Sequence, residues 1–204
     1  MPNSRSFLFD IGNVICSFDF TAMSSRLLAR SSNPEAALFT GFAEIKDAYE
    51  TGHSSDREFV SAAMESIGFT GSPGEFIRIW CEIFTENSVM TGLIKALAER
   101  GHDLYLLSNT NGLHLDYLQR QFPAFSYFSD GIYSHRVGIL KPHEQIYRVA
   151  LEQLSLNAEQ TLYIDDLPEN IQAGKLLGLT CHRYLSHRHN DLIKWLTSAG
   201  ITLS

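Results

Sequence analysis

The sequence predicts an α/β protein: a parallel, Rossmann-like sheet with helices on both faces and a helical insertion after the first strand. Three observations carry that prediction. Short apolar runs recur, most of them ending in polar residues, and helical patterns alternate with them from about residue 101 onward. The stretch 20–101, by contrast, holds helical patterns alone. Alternating strand and helix patterns imply βαβ units, and hence a mainly parallel sheet buried on both faces.

The strands come first. Residues 6–9 run into Asp10, 103–107 into Ser108-Asn109, and 161–164 into Asp165-Asp166, with a fourth run at 180–184. Helices are expected at 113–122, 144–154 and 169–177, the last stopped by Gly178. In such sheets ligands gather at the carboxyl ends of the strands. The polar residues fall at those ends, so one cleft can collect them.

Within the insertion, Asn33-Pro34 reads as an N-cap followed by proline at the first helical position. Ser55-Asp56-Arg57-Glu58 and Ser72-Pro73-Gly74-Glu75 read as capping boxes. Phe59, Val60, Ala63, Met64 and Ile67, then Phe76, Ile77, Trp80 and Phe84, give each helix an apolar face that reads as core. Segment 91–100 returns the chain to the sheet. The expected division is 1–18 with 91–204 for the sheet core and 19–90 for the helical part.

Composition narrows the function. Of 204 residues, 44% are hydrophobic and 19% charged, enough apolar surface for a packed core and too little bias for disorder or a coiled coil. Lys and Arg number 16 against 23 Asp and Glu, a net charge of −7 with no basic run, which argues against nucleic acid as a partner. Cys16, Cys81 and Cys181 are odd in number and far apart, with no CxxC spacing. Neither a disulfide framework nor a structural zinc site is expected, and a reducing cytoplasm is the simplest setting. No signal-peptide pattern opens the chain, and no run reaches the ~20 apolar residues of a membrane span, so no membrane partner is expected.

Four features carry the chemistry: Phe9-Asp10-Ile11-Gly12-Asn13-Val14-Ile15, Leu107-Ser108-Asn109, Lys141-Pro142, and Ile164-Asp165-Asp166-Leu167-Pro168-Glu169-Asn170. Singly, each reads as a turn, a cap or a solvated charge. The adjacent acids are the least ordinary, because two carboxylates after a buried strand repel unless a cation or a cap compensates them.

In this order on this strand pattern, the chain resembles the haloacid dehalogenase-like hydrolase superfamily over nearly its whole length, and the insertion looks like that superfamily's C1-type cap. The first motif with Tyr49-Glu50 is most similar to the branch holding bacterial α-glucose-1-phosphate phosphatases, and more distantly to the phosphatase domain of soluble epoxide hydrolases. The resemblance implies a magnesium-dependent phosphatase acting on small phosphorylated metabolites, sugar phosphates foremost. It makes Asp10 the nucleophile. It assigns Mg2+ to Asp10, the Gly12 carbonyl and Asp166, with Asp165 acting directly or through water. Ser108, Asn109 and Lys141 would hold the phosphate, and Lys141 would also neutralise charge on Asp10.

One position departs from the pattern. Most phosphatases of the superfamily carry a second Asp two residues after the nucleophile, which protonates the leaving oxygen; here that residue is Gly12. Proton transfer of this kind is commonly worth ~10²–10⁴-fold. Three readings follow: another acid substitutes (Asp19 or Glu50), the substrate leaves unaided, or turnover is lost and binding remains. A 2-haloacid dehalogenase also dispenses with that acid, but Asp165-Asp166 would repel a carboxylate substrate. Outside the motifs, His182, His187 and His189 read as a solvated loop before a final helix capped by Asn190-Asp191, His143 as a helix start, and Cys16 as an apolar filler.

Overall fold

The protein is described by a computed structural model covering residues 5–32 and 42–203. Five parallel strands form the central sheet: β1 (Ser6–Phe9), β4 (Asp103–Ser108), β5 (Asp130–Tyr133), β6 (Thr161–Asp165) and β7 (Thr180–Arg183), in the spatial order β5-β4-β1-β6-β7. β1 lies in the middle, with Phe9 in register with Leu106 on one side and Ile164 on the other. Its side chains alternate between the faces. Phe7 and Phe9 pack with Met90, Ile94 and Leu97 of α5 (Ser88–Glu99) and Leu115 and Leu118 of α6 (Gly112–Gln121). Leu8 packs on the other face with Ile146, Tyr147 and Ala150 of α8 (Glu144–Gln153) and Ile171 of α9 (Pro168–Leu176). Burial on both faces explains why β1 reads as a continuous apolar run.

Among the described residues four helices lie between the first sheet strand and α5: α1 (Phe20–Leu28), α2 (Phe42–Glu50), α3 (Asp56–Ser66) and α4 (Pro73–Cys81). They share an apolar cluster of their own around Phe59, Phe76 and Trp80, all fully buried. The chain leaves the sheet side through β2 (Cys16–Phe18) and returns through β3 (Phe84–Glu86), and these two strands pair antiparallel, Cys16 opposite Glu86. The Gly52 turn after α2 rests on α7 (Ser134–Val137). A Cβ at Gly52, φ +72°, would stand 2.1 Å from the His135 carbonyl oxygen, so only glycine permits the approach.

The structure differs from several expectations: β3 is a strand inside the stretch that reads as all helical, and β5 is a strand with no counterpart among the expected runs. Ser55 and Glu58 form the expected reciprocal capping box. At Ser72 only half of one forms: its hydroxyl accepts from the Glu75 N–H, but the Glu75 carboxylate turns to Arg30, which donates at 2.8 and 2.6 Å. A charge-assisted pair with a guanidinium outcompetes the neutral amide. His182 lies on β7 with its ring against Trp195, and the last helix, α10 (His189–Ser198), begins before Asn190-Asp191. His143 does start α8, its ring nitrogen accepting from the Gln145 N–H. The Asn33-Pro34 cap lies outside the described residues. Among the described residues no helix is long and apolar enough to cross a membrane.

His114 joins the helical cluster to the sheet. The Asn111 side-chain oxygen accepts the His114 N–H, which leaves the Asn111 amide nitrogen to donate to Nδ1; Nε2–H then donates to the Trp80 carbonyl at 3.1 Å. The ring also stacks on the Trp80 indole, centroids 4.9 Å apart. Burial in this apolar seat pushes the imidazole down to about 4. The unfolded chain takes up this proton near 6.5, the folded one only near 4, so acidification across that window favours unfolding. Urea denaturation should show stability held above pH 6.5 and about 2–3 kcal/mol of it lost to this residue by pH 4.5. His114→Gln should remove that part of the pH slope, and an unchanged slope would refute the assignment.

Candidate active site

Three adjacent strands deliver the site. The Asp10 N–H continues the β1 ladder by donating to the Ile164 carbonyl at 2.9 Å, which fixes the side chain just beyond the strand end. The chain then folds tightly: the N–H groups of Ile15 and Cys16 donate to the Ile11 carbonyl at 2.9 and 3.2 Å. Asn13, at φ +53°, takes the left-handed conformation that asparagine tolerates. Ser108 ends β4, and Asp165 ends β6 with Asp166 following.

Lys141, which precedes the cis Pro142, enters from the loop before α8. Its ammonium is fully buried and spends all three donors: Asp10 Oδ1 at 2.7 Å, Asp165 Oδ2 at 2.7 Å and the Leu107 carbonyl at 2.9 Å. Asn109 holds the same residue by its backbone, accepting from the Lys141 N–H at 2.7 Å and donating to its carbonyl at 2.9 Å.

The two acids of the last motif have different surroundings. Asp165 is fully buried and hydrogen-bonded at both oxygens. Oδ1 accepts from the Leu167 N–H at 2.9 Å and the Asn170 amide at 3.0 Å, while Oδ2 accepts from Lys141 and from the Tyr163 hydroxyl at 2.5 Å. Asp166 is half-buried and, among the described residues, meets one side-chain donor, Asn13 Nδ2 at 3.0 Å on its Oδ2.

The charges follow from this. Burial raises Asp10 to about 6, against the lowering pull of Lys141 and with Asp165 adding to the rise. Burial opposes ionisation of Asp165 too, but Lys141 and the other donors outweigh it and hold that carboxyl low. Lys141 loses solvation and regains more from the two carboxylates, so its proton is held more tightly than usual. Asp166 is raised, first by burial and then by its acidic neighbour, despite Asn13.

Three carboxylates thus face one ammonium. One oxygen from each of Asp10, Asp165 and Asp166 falls within 4.8 Å of the others. Asn170 Oδ1 is buried nearby with no hydrogen-bond partner, and Asn170 lines the same cavity of about 190 Å³ as Asp10, Gly12, Ser108, Lys141 and Asp166. A negative excess, an all-oxygen donor set and an orphaned carbonyl-type oxygen fit a hard divalent cation such as Mg2+. Since every oxygen of Asp165 already has donors, Asp10 and Asp166 are the carboxylates with capacity for it.

All seven sequence-predicted residues (Asp10, Gly12, Ser108, Asn109, Lys141, Asp165 and Asp166) therefore lie around one cluster. Sequence reasoning missed Asn13, Tyr163 and Asn170. Of these only Asn170 left a signal, standing one helical turn into α9 from Asp166, where its side chain points back at the strand end. The two acids considered as stand-ins at Gly12 are engaged elsewhere. Asp19 is the N-cap of α1, accepting from the Thr21 and Ala22 N–H groups, and Glu50 pairs with Lys46 at 2.8 Å. Tyr49 does not reach the cleft: it is buried, donates to Asp56 at 2.6 Å and accepts from the Leu113 N–H. Cys16 is buried with its thiol pushed up to about 12, which leaves it no nucleophilic thiolate.

Known proteins resemble this chain over part of its sequence or over its fold. A sesquiterpene phosphatase from Aspergillus oryzae is 29% identical over 91 residues, 44% of this chain and 46% of its own length. A glyceraldehyde 3-phosphate phosphatase from Methanocaldococcus jannaschii is 33% identical over 67 residues, 32% of this chain and 29% of its own. The chain thus matches less than half the length of these two curated relatives. Among solved structures, a HAD family enzyme from Bacteroides thetaiotaomicron, in complex with magnesium and inorganic phosphate, superposes with a TM-score of 0.77 at 20% identity, covering 90% of this chain and 96% of that one. Residues 5–178 match the haloacid dehalogenase-like hydrolase family itself, from the first strand through α9. The chain is a member of the haloacid dehalogenase-like hydrolases.

Proposed function

We propose that the protein hydrolyses small phosphate monoesters with Mg2+ through an aspartyl-phosphate on Asp10. The observation that carries this reading is the Lys141 ammonium bound to Asp10 Oδ1 with the other carboxylate oxygen turned toward Gly12, 3.9 Å from where a Cβ would stand there. One oxygen is neutralised and held; the other faces the cavity. Two similar proteins named as phosphatases and a fold neighbour holding magnesium and phosphate support it.

The chemistry divides between two displacements. Asp10 Oδ2 bonds to phosphorus as the bond from phosphorus to the leaving oxygen breaks. Water then attacks the acyl phosphate, releasing inorganic phosphate and restoring the carboxylate. Lys141 holds Asp10 at attack distance and offsets its charge. The Ser108 hydroxyl would donate to the phosphate. The Asn109 side-chain amide is already bound to Lys141, so the Asn109 backbone N–H would be its contact with the phosphate. Asp10, the Gly12 carbonyl and Asp166 would hold Mg2+, with the unpartnered Asn170 Oδ1 as a further oxygen beside it. Asp165 would act by fixing Lys141. The bound ion would screen the approach of phosphate to carboxylate and polarise the phosphoryl oxygens. Residues 19–90 would act as the cap that closes over the site and excludes water.

An intact Asp10–Lys141–Asp166 set speaks against a protein that only binds, and the unneutralised acids speak against a dehalogenase acting on a carboxylate. Sugar phosphates are the substrates that the family resemblance names first.

Asp10→Asn should lower phosphate release by at least ~10⁴-fold and abolish the hydroxylamine-labile phosphoenzyme trapped by rapid acid quench; surviving turnover would refute the nucleophile. Asn170→Ala should raise the Mg2+ concentration for half-maximal rate by about 10–100-fold, read by titration after EDTA treatment. Because Asp10 must be ionised to attack, kcat/KM at low Mg2+ should fall as pH drops through about 6. Saturating Mg2+ favours the carboxylate, so that limb should move to lower pH. Lys141→Met should cost about 3–5 kcal/mol of stability by leaving buried carboxylates unpaired, measured by chemical denaturation at pH 8; a cost below ~1 kcal/mol would show the ammonium is not holding them.

A further inference from the structure

The cavity around Asp10 opens into a second one of about 220 Å³, and the two share Gly12, Phe18, Ser108 and Asn109. The second chamber adjoins the Asp10 cavity beside Gly12, Ser108 and Asn109, next to the groups placed on the phosphate. Phe18, Phe20 and Phe84, with Ile11 and Leu118, give it an apolar side, and Lys46, Glu50, Thr110 and His114 complete the lining beyond the shared residues. The Phe18 and Phe20 centroids are 5.0 Å apart, Phe84 stands edge-on to Phe18 at 6.5 Å, and Phe18 and Phe20 remain 38% and 40% exposed. These paired rings offer an apolar contact beside the polar site. The chamber's one ion pair, Lys46–Glu50, is satisfied within itself. His114 spends both ring nitrogens on Asn111 and Trp80. A sugar lying against the Phe18, Phe20 and Phe84 side would meet rings that cannot pair its hydroxyls, each unpaired group costing free energy.

The second observation concerns the proton. A Cβ at Gly12 would stand 3.0 Å from Phe18 Cε1, so the Phe18 ring fills the space above that glycine. Asp19 is spent on its helix cap and Glu50 on Lys46. No acid among the described residues is free beside the leaving oxygen. An alkoxide leaves badly without a proton, whereas phenols ionise near pH ~10 and depart as phenolates.

Resting on the reading of Asp10 as phosphoryl acceptor, we propose that the chamber selects aryl phosphates, the phosphate monoesters of small phenols, whose ring lies against Phe18 and Phe20. Asp10 Oδ2 forms its bond to phosphorus while the P–O(aryl) bond breaks; the electron pair leaves on the phenolate oxygen, which takes its proton from water. The volume suits one ring, since an apolar cavity of roughly 150 Å³ holds benzene.

The test measures Mg2+-dependent kcat/KM of the full chain for phenyl phosphate, n-hexyl phosphate, glucose 6-phosphate and acetyl phosphate. Phenyl phosphate should exceed the hexyl and glucose esters by at least ~100-fold, the lower end of what a missing general acid costs an alkoxide. Phe18→Ala should lower the phenyl-to-acetyl ratio about tenfold, and Phe20→Ala, at a more exposed ring, should lower it less but measurably. Hexyl phosphate or glucose 6-phosphate within tenfold of phenyl phosphate, or a ratio that neither variant moves, would overturn the aryl assignment. Acetyl phosphate needs neither the chamber nor a donated proton. If it is hydrolysed with dependence on Asp10 while phenyl phosphate is not favoured, the aryl proposal alone fails; if it too is untouched, the phosphatase reading fails and the proposal with it.

Discussion

One buried ammonium organises this molecule. Lys141 Nζ touches the residue after β1, the penultimate carbonyl of β4 and the last residue of β6, tying the ends of three neighbouring strands to one point. Removing a lysine and two carboxylates from water is expensive, and the geometry recovers the cost only because every donor on the ammonium has an acceptor within 2.9 Å. The sheet's parallel order brings those strand ends together, and the fold's favourable burial on both faces holds them there. Any reaction at Asp10 begins from a carboxylate already placed by this contact.

The acid pair shows how a repulsive dipeptide is accommodated. Asp165 and Asp166 are successive in the chain yet point into different surroundings: one into a saturated shell of lysine, tyrosine, asparagine and backbone donors, the other toward the cavity with a single asparagine. The first stays charged because its shell compensates it. The second is raised by burial and by its acidic neighbour, so its ionised form is poorly compensated by the protein, and that deficit is what a divalent cation would fill. Tyr163, two residues before Asp165 on the same face of β6, belongs to the same arrangement.

Much of this was legible in the sequence. The middle strands announce themselves because burial on both faces makes them uniformly apolar, and the site residues because the chain turns polar at their ends. β5 escaped because its four residues, Asp-Gly-Ile-Tyr, carry a glycine and too short a pattern for periodicity to register. β3 escaped because Phe84 continues the apolar stripe of α4 by spacing, although the chain has already left the helix at Glu82. The engagement of Asn109 with Lys141, and of Glu75 with Arg30, is set by partners 32 and 45 residues distant in the chain, which no local rule sees. Phe18 is the instructive case. As a sequence letter it is an aromatic after a turn; its position over Gly12 exists only once β2 has paired with β3.

That pairing sets the terms on which the helical segment is attached. Cys16 and Glu86 stand opposite each other across one strand spacing, so the seventy or so residues between them start and finish at adjacent points on the sheet side. The entropic cost of closing such an excursion grows only with the logarithm of its length. An ancestor could therefore have lengthened, shortened or exchanged the whole excursion as a cassette without shifting a single strand beneath it. Phe18 and Phe84 flank that junction and line the chamber as well, so the graft point itself forms part of whatever surface the substrate meets.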